Sequence, residues 1–320
     1  MPVRESELLR QAVVTHSSLG VSNHIRCIPY FPNFWFFDTT SLTQALFKTM
    51  SFQLQVKQRS PFFWKRARYF LSRLFGVRLQ KDKSLHFVTI NGQQFKRLVF
   101  CDSSLALEIE RNLECFRGDG IFPHMVIRYE REIWVEFVQG RLIKEVDDAL
   151  VEKVAMFYSR LYSEAPRLVE TNTTMFPDRL DRDLHFLNQI GILSNGLLGE
   201  LRKFVDVLQP THCWIGFDYT DPVKKNFVLH PKAHLLCAVD VEGLVCEHLI
   251  GMGAAKALVR WLNPFKKEFL RLLPTKGAPD IQAYYGFIEL CFLAQWTKRA
   301  FFERDWKAIK PDYFEGYRGL

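Results

Sequence analysis

The hydrophobic period of the chain changes near Gly140, and that change limits the folds open to it. Ahead of it, Leu85-His86-Phe87-Val88-Thr89-Ile90 alternates, Asn91-Gly92 is a turn signal, and Phe95 to Cys101 is apolar-rich, so a hairpin is predicted. Ser103 to Glu114 has helical spacing, with Asp102 or Ser103 placed to cap it. Two more strands are expected at Pro123 to Tyr129 and Ile133 to Val138, turned at Glu130-Arg131-Glu132. Beyond Gln139-Gly140-Arg141 the period lengthens: Val151, Val154, Phe157, Tyr158 and Leu161 mark a helix starting near Asp147. More helices are expected around 179–190 and 197–208, near Leu258 to Leu262, and at Ile288 to Trp296. Short strands and loops interrupt this helical body at 214–245. The order predicts an α+β chain with a small antiparallel-sheet lobe at 85–140 and a mainly helical lobe at 141–320, residues 1–84 being a basic, aromatic N-terminal extension that contributes to the first.

One stretch carries chemistry. Asp221-Pro-Val-Lys-Lys-Asn226 runs into the apolar Phe227-Val228-Leu229, a turn follows at His230 to His234, and Leu236-Cys-Ala-Val leads to Asp240-Val241-Glu242-Gly243. Phosphoryl transfer uses a carboxylate at the acceptor hydroxyl and oxygen ligands that hold Mg²⁺ against nucleotide phosphates, and an Asp followed five residues later by an Asn is the protein-kinase spacing of those groups. Asp221 and Asn226 have that spacing, and a second short strand delivers Asp240. Asp218 competes with Asp221 as the base but has no Asn five residues on. Asp and Asn in a turn-rich loop also serve as plain turn formers, and His230 and His234 read as loop residues rather than metal ligands.

On these residues the chain resembles the protein-kinase-like superfamily, in particular its aminoglycoside phosphotransferase and lipopolysaccharide-core kinase branches. Asp240-Val241-Glu242-Gly243 resembles both the DFG motif and the D-x-E ending of the aminoglycoside phosphotransferases. The resemblance covers roughly 85–300 and implies a bilobal protein-kinase-like fold that uses ATP and Mg²⁺, with Asp221 as catalytic base and Asn226 and Asp240 as metal ligands. The helix from Ser104 to Leu113 takes the place of the one that pairs with a nucleotide-binding Lys, through Glu108 or Glu110, unless those are simply solvated. Trp134-Val135-Glu136-Phe137-Val138-Gln139-Gly140 resembles the hinge whose backbone meets adenine, which assigns Glu136 and Val138 to the nucleotide.

The departures are also specific. Tyr219 stands two residues before Asp221, where protein kinases carry His, and no Gly-rich loop precedes the hairpin. Val99 or Cys101 sits where the third-strand Lys belongs. Arg97 and Lys96 are the substitutes on that strand, Arg97 preferred because alternation gives it the face of Val99 and Cys101; Lys81 or Lys83 from a neighbouring strand is the alternative. Two function classes follow: a kinase acting on a hydroxyl, or a pseudokinase-type binding module without catalysis. A protein Ser/Thr kinase is disfavoured, because Gly251-Met252-Gly253-Ala254-Ala255-Lys256 stands where an activation segment ending in A-P-E would be.

Charge bears on the substrate. The first hundred residues hold fifteen Lys or Arg against four acids, a net +11, whereas the whole chain is +8. In 61–79, Phe63, Ala67, Phe70, Leu74 and Val77 share one helical face, with Lys65 and Arg68 opposite and Arg66 and Arg73 flanking. Such a segment suits either a membrane interface with anionic headgroups or a solvated basic face on the protein body. The first reading brings the acceptor to a membrane surface as a sugar or glycolipid, a lipopolysaccharide core sugar among them, with peripheral contact through 61–83. A nucleic-acid partner is not expected, for no recognition motif accompanies the charge. The seven cysteines include no C-x-x-C pair and are read as reduced thiols, mostly in the core, of a cytoplasmic or membrane-face protein. No signal-peptide core and no run of eighteen apolar residues occur.

Overall fold

The computed structural model describes residues 54–58, 84–90, 92–230, 235–274 and 277–317. The basic segment 61–79, Lys81, Lys83 and His234 therefore lie outside the described residues. The chain divides into two compact units, one of the described residues through Arg111 together with Pro123–Phe137, the other of Asn112–Phe122 and Val138 onward. The change of period at Gly140 thus falls close to a unit boundary, but 112–122 belongs with the helical unit rather than with the sheet.

In the first unit, β1 (Leu54–Gln58), β2 (Ser84–Ile90) and β3 (Gln93–Val99) precede helix α1 (Ser103–Glu114), and β4 (Met125–Tyr129) and β5 (Glu132–Glu136) follow it. They form one antiparallel sheet in the order β1-β2-β3-β5-β4. The hairpin β2–β3 turns where Asn91-Gly92 predicts, with Gly92 at φ +80°. Asp102 starts α1 by accepting from the backbone of Ser104 at 2.8 Å. Strand β1 adds a fifth strand inside the stretch read from sequence as an extension. One sheet face gathers Val88, Ile90, Phe95, Val126, Ile127 and Trp134 into a buried cluster.

The second unit holds β6 (Arg141–Leu142), α2 (Asp148–Tyr162), β7 (Arg167–Glu170), α3 (Phe176–Gln189) and α4 (Asn195–Leu208). Then come β8 (His212–Tyr219), β9 (Phe227–Leu229), β10 (Leu236–Ala238) and β11 (Leu244–Leu249). Helices α5 (Met252–Ala257), α6 (Lys266–Leu272), α7 (Tyr285–Phe302) and α8 (Asp312–Glu315) complete it. Two small sheets, β10-β9-β6 and β11-β8-β7, carry the loops of interest. Helix α2 begins at Asp147, whose side chain accepts from the Leu150 amide, and it buries Val151, Val154, Phe157, Tyr158 and Leu161 as its spacing predicts. The Phe157 ring meets Phe122, Tyr158, Tyr219 and Phe227 edge-on at 5.3–5.7 Å, so the ends of β8 and the start of β9 are packed on α2. Of the described cysteines, all unbridged, Cys213, Cys237 and Cys291 are buried, but Cys101 and Cys115 are exposed, so the core holds only part of the set. No helix among the described residues is long and apolar enough to cross a membrane.

Strand β8 is fixed to α5 by a buried carboxylate. Asp218 is wholly buried and accepts from the amides of Tyr219 at 2.8 Å and Gly253 at 2.7 Å and from the Tyr162 hydroxyl at 3.2 Å. Burial and the charge of Asp218 push the Tyr162 pKa well up, which keeps that hydroxyl a donor. Only glycine fits at 253: a Cβ there would stand 2.1 Å from the Tyr219 carbonyl oxygen and 2.7 Å from Asp218 Oδ1. Gly199 in α4 is the contrast, with nothing within 4 Å of its Cβ position. Gly253→Ala is therefore expected to destabilise the protein by about 1–3 kcal/mol or more, whereas Gly199→Ala in a helix interior should stabilise by about 0.5–1 kcal/mol. Denaturant titration of both variants checks this, and equal effects would contradict the close packing of β8 on α5.

Candidate functional site

The loop after β8 is built from its backbone outward. Asp221 O accepts from Val223 N and Val223 O from Asn226 N, both at 2.8 Å, so the chain folds back on itself within five residues. Asn226 closes this turn: its Nδ2 donates to Asp221 O at 2.9 Å and to Asp221 Oδ2 at 3.0 Å. The spacing of five thus has a local cause, a turn that sets the Asn amide against the Asp carboxylate.

Asp240 comes to the same loop. Val239 N donates to Asn226 O at 2.8 Å, and the Tyr219 hydroxyl donates to Asp240 O at 3.2 Å while lying against the Asn226 side chain. Thr220 N donates to Gly243 O at 2.8 Å, which fastens the Asp240-to-Gly243 turn to the residue before Asp221. Gly243 lies against the Tyr219 ring, where a Cβ would approach Cε2 to 2.6 Å. Tyr219, at the position of the kinase His, is a fully buried post between the two arms of the site. Asn226 is buried and Asp240 half-buried. An amide oxygen and a carboxylate are hard donors, a set that suits Mg²⁺ when phosphate oxygens and water complete its shell.

The two candidate bases differ in access. Asp221 has 37 % of its side chain exposed, and Asp218 has none, its oxygens facing the amides and hydroxyl that bind it. A proton acceptor for a substrate must be reachable, and of the two carboxylates Asp221 is the exposed one.

Sequence reasoning overlooked two residues. Lys256 on α5 places Nζ 2.8 Å from Asp221 Oδ1 and 2.9 Å from Thr220 O. Trp261 donates from Nε1 to Pro222 O at 2.6 Å. Burial lowers the Lys256 pKa, and its bond to Asp221 opposes that shift. Nothing in the run Gly251 to Lys256 signals this contact, because the approach of α5 to the loop depends on the Asp218 latch.

The first unit places Arg97 and Lys96 on opposite faces of its sheet. Residues opposed across the ladder share a face. Arg128, Ile133, Leu98 and Leu85 are such a row, and Lys96 lies two residues from Leu98. Arg128 forms an ion pair with Glu110 of α1, so this is the face that α1 covers. Arg97 is on the other face, with Nε donating to Glu132 at 2.8 Å, a second guanidinium contact to the same carboxylate, and its plane 5.7 Å from the Trp134 ring. Alternation separates two faces without saying which one meets the helix; of the two residues, Lys96 is on the α1 side and Arg97 on the other. Glu110 pairs with Arg128 rather than with Arg97, and Glu108 is exposed. In the hinge-like segment, Glu136 N donates to His124 O at 2.9 Å and Phe137 N to Gln94 O at 3.1 Å, so these amides belong to the sheet. Val138 is the first residue past that sheet and is half-buried.

No family model and no curated protein matches the chain. Solved structures do. The apoenzyme of macrolide 2'-phosphotransferase MphH from Brachybacterium faecium aligns over 87% of this chain and 97% of its own, at 9% identity and a TM-score of 0.53. The GDP complex of wild-type aminoglycoside 2'-phosphotransferase-IIIa aligns over 86% and 94%, at 13% identity and a TM-score of 0.51. Choline kinase LicA from Streptococcus pneumoniae aligns over 79% and 96%, at 12% identity and a TM-score of 0.50. With the strand order, the Asp221-to-Asn226 turn and the return of Asp240 to it, these alignments give the chain the α+β protein-kinase-like fold of small-molecule phosphotransferases.

Proposed function

We propose that the protein is an ATP- and Mg²⁺-dependent phosphotransferase acting on a hydroxyl. The observation that carries this reading is the meeting of Asp221, Asn226 and Asp240 around one loop, through the Asn226 turn and the Val239 and Tyr219 hydrogen bonds. Asp221 orients the acceptor hydroxyl and receives its proton. The hydroxyl oxygen forms a bond to the γ-phosphorus as the bond from that phosphorus to the β-bridging oxygen breaks, and ADP leaves. Asn226 and Asp240 hold the metal, and Mg²⁺, when bound, neutralises charge on the nucleotide phosphates.

Two features of the sequence favour the alternative, a pseudokinase-type module: no Gly-rich loop precedes the hairpin, and no Lys stands at 99 or 101. Mg²⁺ separates the two readings. ATP with Mg²⁺ should raise the melting temperature of the wild type and do so far less without Mg²⁺. Asp240→Asn should lose most of the Mg²⁺-dependent shift. Asp221→Asn should keep the shift and lower turnover by about 10²-fold or more. No shift in the wild type would favour the scaffold, and equal loss of binding in both variants would refute the division of roles.

The acceptor we favour is a sugar or glycolipid presented at an anionic membrane surface. It is supported by the +11 charge of the first hundred residues and the basic, aromatic pattern at 61–79. Co-sedimentation with vesicles containing anionic lipid should retain the wild type at low salt. Exchanging Arg66, Arg68 and Arg73 for Glu should release it, each basic residue contributing on the order of 1 kcal/mol. Wild type that stays in the supernatant makes this segment a solvated face and the acceptor a free small molecule.

A further inference from the structure

We propose that Lys256 is a positioning residue of the phosphotransfer site, holding the Asp221 carboxylate toward the acceptor from a helix outside the catalytic loop. The inference rests on the phosphotransferase reading above and adds a residue that neither the loop motif nor its spacing contains.

The geometry is specific to the loop. Lys256 Nζ lies 2.8 Å from Asp221 Oδ1 and 2.9 Å from Thr220 O, so one ammonium grips the side chain of Asp221 and the peptide just before it. On its other oxygen Asp221 receives Asn226 Nδ2 at 3.0 Å. The carboxylate is therefore held at both oxygens by groups from two sides, which fixes its rotation about the Cβ–Cγ bond. Only 15 % of the Lys256 side chain is exposed, against 37 % for Asp221, so the cation sits behind the carboxylate and the carboxylate faces solvent.

The helix is shaped to permit it. Helix α5 passes into a π-helical turn at Leu258–Leu262. In a regular α-helix, residues five apart point about 140° from one another. Lys256, in the last α-helical turn, and Trp261, inside the wider π turn that follows, are five residues apart. Trp261 donates to Pro222 O at 2.6 Å, so Thr220, Asp221 and Pro222 are each bonded from this one segment. The opposite end of α5 is fixed by Gly253 N on the buried Asp218. The segment is thus anchored at its start and delivers two consecutive contacts at the base, an arrangement that serves orientation more than bulk packing.

The test is a double-mutant cycle on the full-length protein, with MgATP as substrate and water as the acceptor, following phosphate release. Lys256→Met keeps the aliphatic stem and removes the charge. It should lower kcat by about 10–10²-fold with the KM for MgATP changed less than about twofold, because the metal ligands are untouched. Its melting temperature should stay within about 4 °C of the wild type, since Asp221 remains solvated. Lys256→Arg should recover part of kcat. In the Asp221→Asn background the Lys256→Met change should cost little more, because the two act as one unit. A Lys256→Met variant with wild-type kcat, or losses that multiply in the double variant, would overturn the proposal while leaving the phosphotransferase reading intact. A wild type that neither binds MgATP nor releases phosphate would overturn both.

Discussion

The candidate site hangs on one wholly buried carboxylate, Asp218. A wholly buried carboxylate is costly unless its oxygens are satisfied, and Asp218 is satisfied only if β8 ends where Tyr219 N and Gly253 N can both reach it. That condition fixes the last residue of β8 against the first turn of α5. It also explains why a glycine stands at 253, where any Cβ would meet the Tyr219 carbonyl. From this joint, Tyr219 reaches across to Asp240, and α5 carries Lys256 to Asp221. Removing the side chain at 218 would take from the Tyr219 and Gly253 amides the acceptor they share in the interior, so the loop geometry and the stability of the unit depend on the same group.

The reactive groups are arranged by what each contact leaves exposed. Asn226 uses its Nδ2 on Asp221, and Asp221 receives Lys256 and Asn226 on opposite oxygens. Aromatic packing of Phe157 with Tyr219 and Phe227 holds both ends of the loop on α2, so the polar turn between them is short and stiff. Preorganisation of this kind is the main contribution a protein makes to phosphoryl transfer, where positioning and charge stabilisation outweigh covalent assistance.

Much of this was legible in the sequence, for identifiable reasons. The β2–β3 hairpin, α1 and α2 each carry a strong period and a local stop or cap, Asn91-Gly92, Asp102 and Asp147 among them. The closeness of Asp221 and Asn226 was legible because their spacing reflects a turn closed by those two residues. Strands β6 and β7 were not, being two and four residues long, too short to show alternation. Which of Arg97 and Lys96 faces α1 was not legible, because strand alternation sorts residues onto two faces and the Glu110–Arg128 pair identifies the one beneath α1. Lys256 was invisible for a related reason: its partner lies 35 residues away, and no local spacing links the two.

The central claim is that Asn226 and Asp240 share a metal that presents a nucleotide to Asp221. A crystal structure with Mg²⁺ and a non-hydrolysable ATP analogue tests it most directly. The account predicts one octahedral ion bound by the Asn226 side-chain oxygen and the Asp240 carboxylate, at about 2.0–2.1 Å, with the γ-phosphate facing Asp221. A nucleotide bound away from this loop, or a metal that touches neither Asn226 nor Asp240, would contradict it.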